Sequence, residues 1–562
     1  MHCSQLRVCQ SYLPHFLLYD RDMMIYFMRL CSCIGVMIAL LLSMSTVSAS
    51  TVEVSTFRDQ LSRYAVSAPA DMGLPELQRF YSARGYQPVW TQSDQSLASL
   101  DVALAFIQAI DAEGLDSSDY QLQELRQLQS RTQHNSDTLF ELELRTTQAL
   151  LKLTRDLRSG HLIASKVDPD WHLPHEPFDP VAFLLTAVAS DKLQNSLISL
   201  SPEIPDYQLM KQALARYREL VAKQWTRTII PHAPSIRPNT DHAVIPLIRK
   251  RILEAYAIHG TSAYNVLQQG VHFDDVLVNA IKVFQAQHGL NADGIIGKNT
   301  RRALNLTPEG KIQQLRLNME RLRWLPRNLG ERYLLVNIAG FRLVAVKHGK
   351  QVLNMRIIVG RDYRATPSFS SQMTRMILNP FWNIPASIAR KDLLPKQQNE
   401  STFFTTQGIK VFPDYDVNSE PLDPDTIDWH AIKKGFPYRL RQDPGVKNAL
   451  GTIKFMFPNP FSIYLHDTPS KSLFQKDIRT FSSGCIRLEN PMELVGFALN
   501  ETQSVAALTA QIRDGKTSRV NLPAPLPIYI VYLTTWIDDQ NKIHYSPDIY
   551  GRDRRVLNFT RW

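Results

Sequence analysis

Residues 461–491 read FSIYLHDTPSKSLFQKDIRTFSSGCIRLENP. The run Ser462 to Leu465 suits a short strand that delivers His466 at its end. Nineteen positions later (485 − 466) the chain reaches Ser482-Ser483-Gly484-Cys485-Ile486-Arg487-Leu488. A thiol at neutral pH is only a few per cent thiolate, so a cysteine that attacks carbonyl carbon needs an imidazole or a cation beside it. Gly484 lets the backbone turn sharply, which exposes the sulfur and aims N–H groups at an incoming carbonyl oxygen. Cys485 therefore reads as nucleophile and His466 as base, with Ser483 and Gly484 shaping the loop and the oxyanion site. A base of this kind suits a pKa near neutrality. Its orienting partner is open between a backbone carbonyl and Ser483. Arg487 has two readings, a fork for a substrate carboxylate or a salt bridge that pins the loop. Tyr464 and Trp382 belong either to the groove wall or to the core.

The cysteine count leaves one thiol in the exported chain, either buried in a core or used. The chain has five, Cys3, Cys9, Cys31, Cys33 and Cys485. Arg21 and Arg29 precede an apolar run, LCSCIGVMIALLLSM, from Leu30 to Met44, and Val47 and Ala49 suit a signal-peptidase cut after Ala49. Residues 1–49 thus read as a signal peptide, or as a signal anchor holding the protein at the inner membrane. Cleavage leaves Cys485 alone, which excludes a disulfide framework and a clustered thiolate metal site. No metal or organic cofactor is expected. The 562 residues carry a net charge of +10, spread along the chain. No nucleic-acid-binding signature accompanies that charge, so nucleic acid is not an expected partner, while a carboxylate-rich polymer is compatible with it.

Beyond the leader the chain divides by pattern. Residues 50–239 read as helical scaffold, with leucines at helical spacing from Leu142 to Leu157 and Gly160 as the stop. Asp168 to Pro180 reads as a loop. Residues 240–306 form a small unit in which FDDVLVNAIKVFQAQHGL is a helix followed by the turn Asn291 to Gly297. A basic helix, Lys311 to Trp324, connects at 307–330. From 331 to 515 the pattern turns β-rich, with strands at Tyr333–Ile338, Phe341–Lys347, Val352–Val359 and Arg375–Leu378, and a turn at His348-Gly349-Lys350. A Pro- and Asp-rich insertion at about 386–444 interrupts it, and His430 and Trp429 read as surface features there. Residues 516–562 form a last strand, Pro527 to Ile537, and a tail. The fold class is α+β multidomain.

The stretch from His466 to Arg487 resembles the L,D-transpeptidase catalytic domain, whose signature is a His, a gap, and S-x-G-C-x-R. The resemblance extends to Arg364-Ala365-Thr366-Pro367, Asn379-Pro380-Phe381-Trp382-Asn383-Ile384-Pro385, Asp443-Pro444-Gly445, Lys454-Phe455-Met456-Phe457-Pro458-Asn459 and Asp548-Ile549-Tyr550-Gly551-Arg552-Asp553. The FQ..HGL..DG.IG..T..AL pattern of 240–306 resembles the three-helix peptidoglycan-binding domain. Together they look like the large Gram-negative subtype, with a scaffold domain and a substrate-capping insertion. Many members have Ser-His-Gly-Cys where this chain has Ser482-Ser483-Gly484-Cys485, which leaves His466 as the base. The resemblance implies a periplasmic enzyme whose partners are peptidoglycan stem peptides. Cys485 would form a thioester with the diaminopimelate carbonyl, release D-Ala, and pass the acyl group to a second stem as a 3→3 crosslink. Hydrolysis of the same thioester, as an L,D-carboxypeptidase, and attachment of a lipoprotein to the wall are the rival outcomes. A non-catalytic peptidoglycan-binding scaffold protein is the alternative of another class.

Overall fold

The computed structural model describes residues 54–562 apart from 68–72, 93, 132–134, 224, 226–227, 260–269, 417, 501, 503 and 561. The expected leader, with Cys3, Cys9, Cys31 and Cys33, lies outside the described residues. Among the described residues no helix is long and apolar enough to cross a membrane.

The N-terminal region is helical, and its spine is the helix Ser136–Ser159. Asn135 starts that helix by accepting the Thr138 N–H at 2.8 Å, and Gly160 ends it with φ 98°. Leu150, Leu153 and Leu157 are fully buried along it. Glu143, also fully buried, turns inward to accept the backbone N–H groups of Val89 and Trp90 at 2.6 and 2.7 Å. Helices Ile245–His259, Asp275–Gln287 and Lys298–Leu304 make the three-helix unit around Ile248, Leu277, Ile281 and Phe284. Its turn is built by its own polar residues. Asp293 accepts from Ile295 N at 2.8 Å, and Gln285 accepts from Gly294 N at 2.8 Å.

The connecting helix, Pro308–Arg323, is not a solvated basic face. Its Arg321 pairs with Asp553 and its Arg323 with Glu320, all buried. It forms one apolar cluster with the scaffold (Trp171, Tyr207, Leu214) and the C-terminal region (Leu533, Ile543, Val556).

The β-rich region is a closed sheet. Strands β1 (Arg332–Asn337), β2 (Arg342–Lys347), β3 (Lys350–Gly360) and β4 (Phe369–Leu378) meet the predicted positions, with β4 longer than expected. After β5 (Trp382–Ile384), β6 (Ile409–Phe412) and β7 (Arg439–Gln442) come β8 (Ile453–Met456), β9 (Leu465–His466), β10 (Thr480–Ser482), β11 (Ile486–Leu488), β12 (Ser518–Val531), β13 (Thr535–Ile537) and β14 (Ile543–Tyr545). The order β10-β3-β11-β9-β8-β4-β12-β1-β2 closes because β2 also pairs β3. The predicted final strand is split into β12 and β13. β12 lies inside the sheet, between β4 and β1, and so belongs to the β-rich core rather than to a tail. The expected strand at Ser462 shrinks to two residues. Ser462 has φ 57°, and Asn459 holds the preceding loop by accepting from Phe461 N and Ile463 N.

The insertion is a folded module rather than a loop. Strands β5, β7 and β6 form its own three-stranded sheet, and Phe404, Val411, Leu440 and Trp429 form its own core. Trp429 is buried, against the expectation of a surface role, because its ring packs edge-on to Phe404 at 5.0 Å. His430 is exposed, as expected.

Candidate functional site

The site forms where β8, β9 and β11 run side by side. β9 and β11 are parallel, with Arg487 opposite His466, and β8 is antiparallel, with Lys454 opposite His466. Side chains alternate along strands, so Tyr464, His466, Cys485, Arg487 and Lys454 share one face. The Ile486 N–H bonds the Tyr464 carbonyl at 3.1 Å, which fixes the Cys485 end of this register.

His466 is buried at 4% exposure, and its Nδ1 lies 2.5 Å from the backbone carbonyl of Asp467. Nδ1 therefore carries the proton and Nε2 keeps its lone pair. The orienting partner is a backbone carbonyl and not Ser483. Asp467 is itself fixed, since its carboxylate accepts from Thr452 N at 2.9 Å and Lys471 Nζ at 2.8 Å. Burial first, then the Arg487 charge, push the His466 pKa down to about 3. The expected value near neutrality is thus corrected: a cation in a dry site opposes a second positive charge.

Cys485 stands on the turn between β10 and β11, with Sγ 3.7 Å from the Ser462 carbonyl. Burial raises its pKa, opposed by hydrogen bonding from Tyr464 and by the charges of Lys454 and Arg487. Lys454 Nζ sits 3.8 Å from the centroid of the Tyr464 ring. Burial lowers the Lys454 pKa, and Cys485 is the one charge acting the other way. Neither Lys454 nor Arg487 has a carboxylate partner among the described residues, and the buried Nε of Arg487 has no hydrogen-bond partner. This disposes of the salt bridge for Arg487.

The turn is locked from below. Gly484 has φ 115°, where only glycine is at ease, and its carbonyl accepts from Thr366 Oγ1 at 2.8 Å. Ser482 Oγ accepts the Gly484 N–H at 3.1 Å and donates to the Cys485 carbonyl at 2.5 Å. The Gly484 amide, one of the expected oxyanion donors, is therefore occupied. Ser483 Oγ accepts from Arg364 Nη1 at 2.8 Å. Trp382 is half buried on β5, packed against the insertion's core, and no bond joins it to Cys485 or His466 among the described residues. Sequence reasoning gave no role to Lys454, Arg364, Thr366 or Asp467. All four lay in motifs already marked, but only the folded structure shows that they converge. Among the described residues no group of three His, Cys, Asp or Glu is placed to hold a metal.

Parts of the chain are similar to known families and proteins. Residues 331–517 match the family model of the L,D-transpeptidase catalytic domain, 262–304 that of a putative peptidoglycan binding domain, and 75–214 that of a scaffold domain. A protein of Haemophilus influenzae described as a putative L,D-transpeptidase is 35% identical over 245 residues, which is 43% of this chain and 49% of that protein. The chain thus spans about half the length of that relative. Among solved structures, an L,D-transpeptidase from Mycobacterium smegmatis shares 11% identity over 36% of this chain and 58% of its own, with a TM-score of 0.19. Another, from Xylanimonas cellulosilytica, shares 12% over 54% of this chain and 100% of its own, with a TM-score of 0.19.

Proposed function

We propose that the protein, whose residues 331–517 match the family model of the L,D-transpeptidase catalytic domain, makes 3→3 crosslinks in peptidoglycan through a thioester at Cys485. The observation that carries the proposal is a buried, neutral His466 whose Nδ1 is tied to the Asp467 carbonyl, on a strand paired with the one that follows directly from Cys485.

The resting pair is thiol and imidazole, not thiolate and imidazolium. As Cys485 Sγ attacks the diaminopimelate carbonyl of a donor stem, His466 Nε2 takes the thiol proton. The Cys485 amide faces the charge that grows on the carbonyl oxygen, a donor of a kind worth roughly 3 kcal/mol. The bond to D-Ala then breaks, His466 returns the proton to the departing amine, and a thioester remains. The side-chain amine of a second stem attacks the thioester, and the sulfur leaves to recover the thiol. Lys454 and Arg487, cations without carboxylate partners, suit a donor whose stem carries free carboxylates. The three-helix unit, whose residues 262–304 match the family model of a putative peptidoglycan binding domain, supplies affinity for the wall. This chemistry belongs in the periplasm.

The test is incubation of the mature chain with disaccharide-tetrapeptide and identification of products by mass. The expected result is a crosslinked dimer that has lost one D-Ala, absent with Cys485→Ala. Tripeptide alone would make the protein an L,D-carboxypeptidase, and no product with intact Cys485 would overturn the proposal.

A further inference from the structure

Arg364 occupies an unusual position in the molecule. Its guanidinium donates in three directions: Nη1 to Ser483 Oγ at 2.8 Å, Nη1 to the Asp392 carboxylate, and Nη2 to the Ser387 carbonyl at 3.2 Å. Ser483 is in the turn that carries Cys485, while Ser387 and Asp392 begin the insertion. The second charge near Asp392 is Arg361, whose Nη1 lies 3.8 Å away. Among the described residues, every other hydrogen bond and ion pair made by residues 386–444 stays within the insertion and its root. The root itself is stitched by Asn448, which donates to the carbonyls of Pro380 and Gln442, and by Gln442, which donates to those of Gln407 and Lys447. The apolar core of the insertion shares no residue with that of the β-rich sheet. The module is therefore joined to the sheet through β5 and β7 and held, at its first turns, by polar contacts with two arginines.

Two further observations point to the same place. Asp392 lies in a π-helical turn, Ala389–Leu393, a local distortion that costs helix geometry and recurs where a side chain must be aimed. The backbone of Arg364 is also part of the floor under the nucleophile turn. A Cβ on Gly360 would run into the Arg364 carbonyl oxygen and lie 3.1 Å from Gly484 Cα, so these three backbones touch. Thr366 Oγ1, two residues on, receives the Gly360 N–H and donates to the Gly484 carbonyl.

We propose that Arg364 is a positioning residue that couples the placement of the insertion to the geometry of the turn bearing Cys485. With the module seated, Asp392 and Ser387 fix the guanidinium, and the guanidinium fixes Ser483. When the module lifts, Arg364 loses both anchors and Ser483 is released with it. The turn is then held for attack only while the insertion is down. The inference rests on Cys485 as nucleophile, but its principal test needs no substrate.

The experiment is a double-mutant cycle with Asp392→Asn and Arg364→Met in the mature full-length chain, read by the alkylation rate of Cys485 with iodoacetamide. Asp392 makes no direct contact with the turn, so Asp392→Asn should change that rate by at least about threefold through the arginines it holds, Arg364 foremost and Arg361 at 3.8 Å, and the cycle isolates the share carried by Arg364. In an Arg364→Met background the same substitution should change the rate far less. Steady-state D-Ala release from tetrapeptide should then show kcat lowered as well as KM raised in Asp392→Asn, a split that simple loss of substrate contact would not give. Additive effects in the cycle, or an alkylation rate unmoved by Asp392→Asn, would overturn the coupling. A wild-type protein that alkylates normally yet releases no D-Ala would instead overturn the proposed function and leave the coupling standing. Thermal melting of each variant reports whether the fold survives, and Ser483→Ala provides a second route to the same turn if Arg364→Met does not fold.

Discussion

At His466 two effects act in one direction. Burial removes water from the imidazole, and Arg487 on the adjacent strand adds positive charge, so the ring stays neutral down to about pH 3. The sign for activity follows: between pH 5 and 8 the fraction of usable base does not change. We expect kcat/KM for acylation by tetrapeptide to be flat across that range, and a limb near pH 6.5 in the measured profile would contradict the assignment. His466→Ala should lower acylation at pH 7 by about 10²- to 10⁴-fold, with partial recovery at alkaline pH as the thiol ionises unaided. Lys454 gives a separate expectation. Its charge holds the Cys485 pKa below what burial alone would give. Lys454→Met should move the pH profile of Cys485 alkylation upward, lowering the rate at pH 8 by about tenfold, and Lys454→Arg should restore it. A uniform drop at all pH values would mean that Lys454 only supports the Tyr464 ring. Cys485 and His466 were legible because their spacing and the Gly484 turn are local signals. Lys454 was not, since a lysine on a four-residue strand looks like any solvated lysine until the pairing with His466 is known.

At the scale of single elements, the end of β3 is where the molecule has least room. Gly360 is pressed between Arg364 and Gly484, and its carbonyl accepts the Tyr550 hydroxyl at 2.5 Å. A methyl group here must displace backbone, at a cost of about 1–3 kcal/mol. Gly360→Ala should therefore move the nucleophile turn and slow Cys485 alkylation about tenfold or more, while far-UV circular dichroism is unchanged; full reactivity would show that the turn can shift without loss. The insertion tells a different story about legibility. Its strands are three or four residues long, too short for alternation to stand out, and its Pro and Asp content reads as loop. What makes it a module is nonlocal: Trp429 against Phe404, and Tyr438 5.6 Å from the Trp429 ring. Trp429→Ala removes the largest side chain of that core, a loss of about 3–5 kcal/mol. Limited proteolysis should then cut within 386–444 and leave the rest of the chain intact. Cuts spread over the whole β-rich region would instead show that the insertion and the sheet unfold together.

For the whole molecule, the question is which regions can stand alone, and the cores answer it. The scaffold and the β-rich region share an apolar cluster through the connecting helix, from Tyr207 and Leu214 across Leu315 and Leu322 to Val531 and Ile543. They also share a backbone bridge, where His172 N donates to the Ser368 carbonyl at 2.7 Å and Ser368 N to the Asp170 carbonyl at 2.8 Å. Arg552, fully buried, donates to the Thr366 carbonyl at 2.9 Å beneath the nucleophile turn, and buried Asp168 of the scaffold lies 3.9 Å from it. Sequence periodicity separated these regions correctly by type but could not show that they are fused, because the residues joining them are more than a hundred positions apart. The three-helix unit differs, having a core that shares no residue with the others. It meets the rest through a few contacts, Asn291 N to Asp477 at 2.7 Å, His288 Nε2 to Lys311 Nζ at 3.0 Å and the His288 ring stacked on Tyr545 at 5.4 Å. Lys311 is buried there with its pKa well below the usual lysine range, so removing its cover lets water back to an ammonium group that burial now penalises. Two deletions should therefore behave in opposite ways. Replacing 240–306 by a flexible linker should leave Cys485 able to form a covalent adduct with a carbapenem, observed by intact mass. A fragment starting at residue 331 should fail to form it and should aggregate, since it exposes half of the shared cluster and strips Asp168 from Arg552. A soluble, acylated 331–562 fragment would show that the scaffold is an addition to a self-sufficient catalytic domain, and that Arg552 holds the Thr366 carbonyl without an acidic partner.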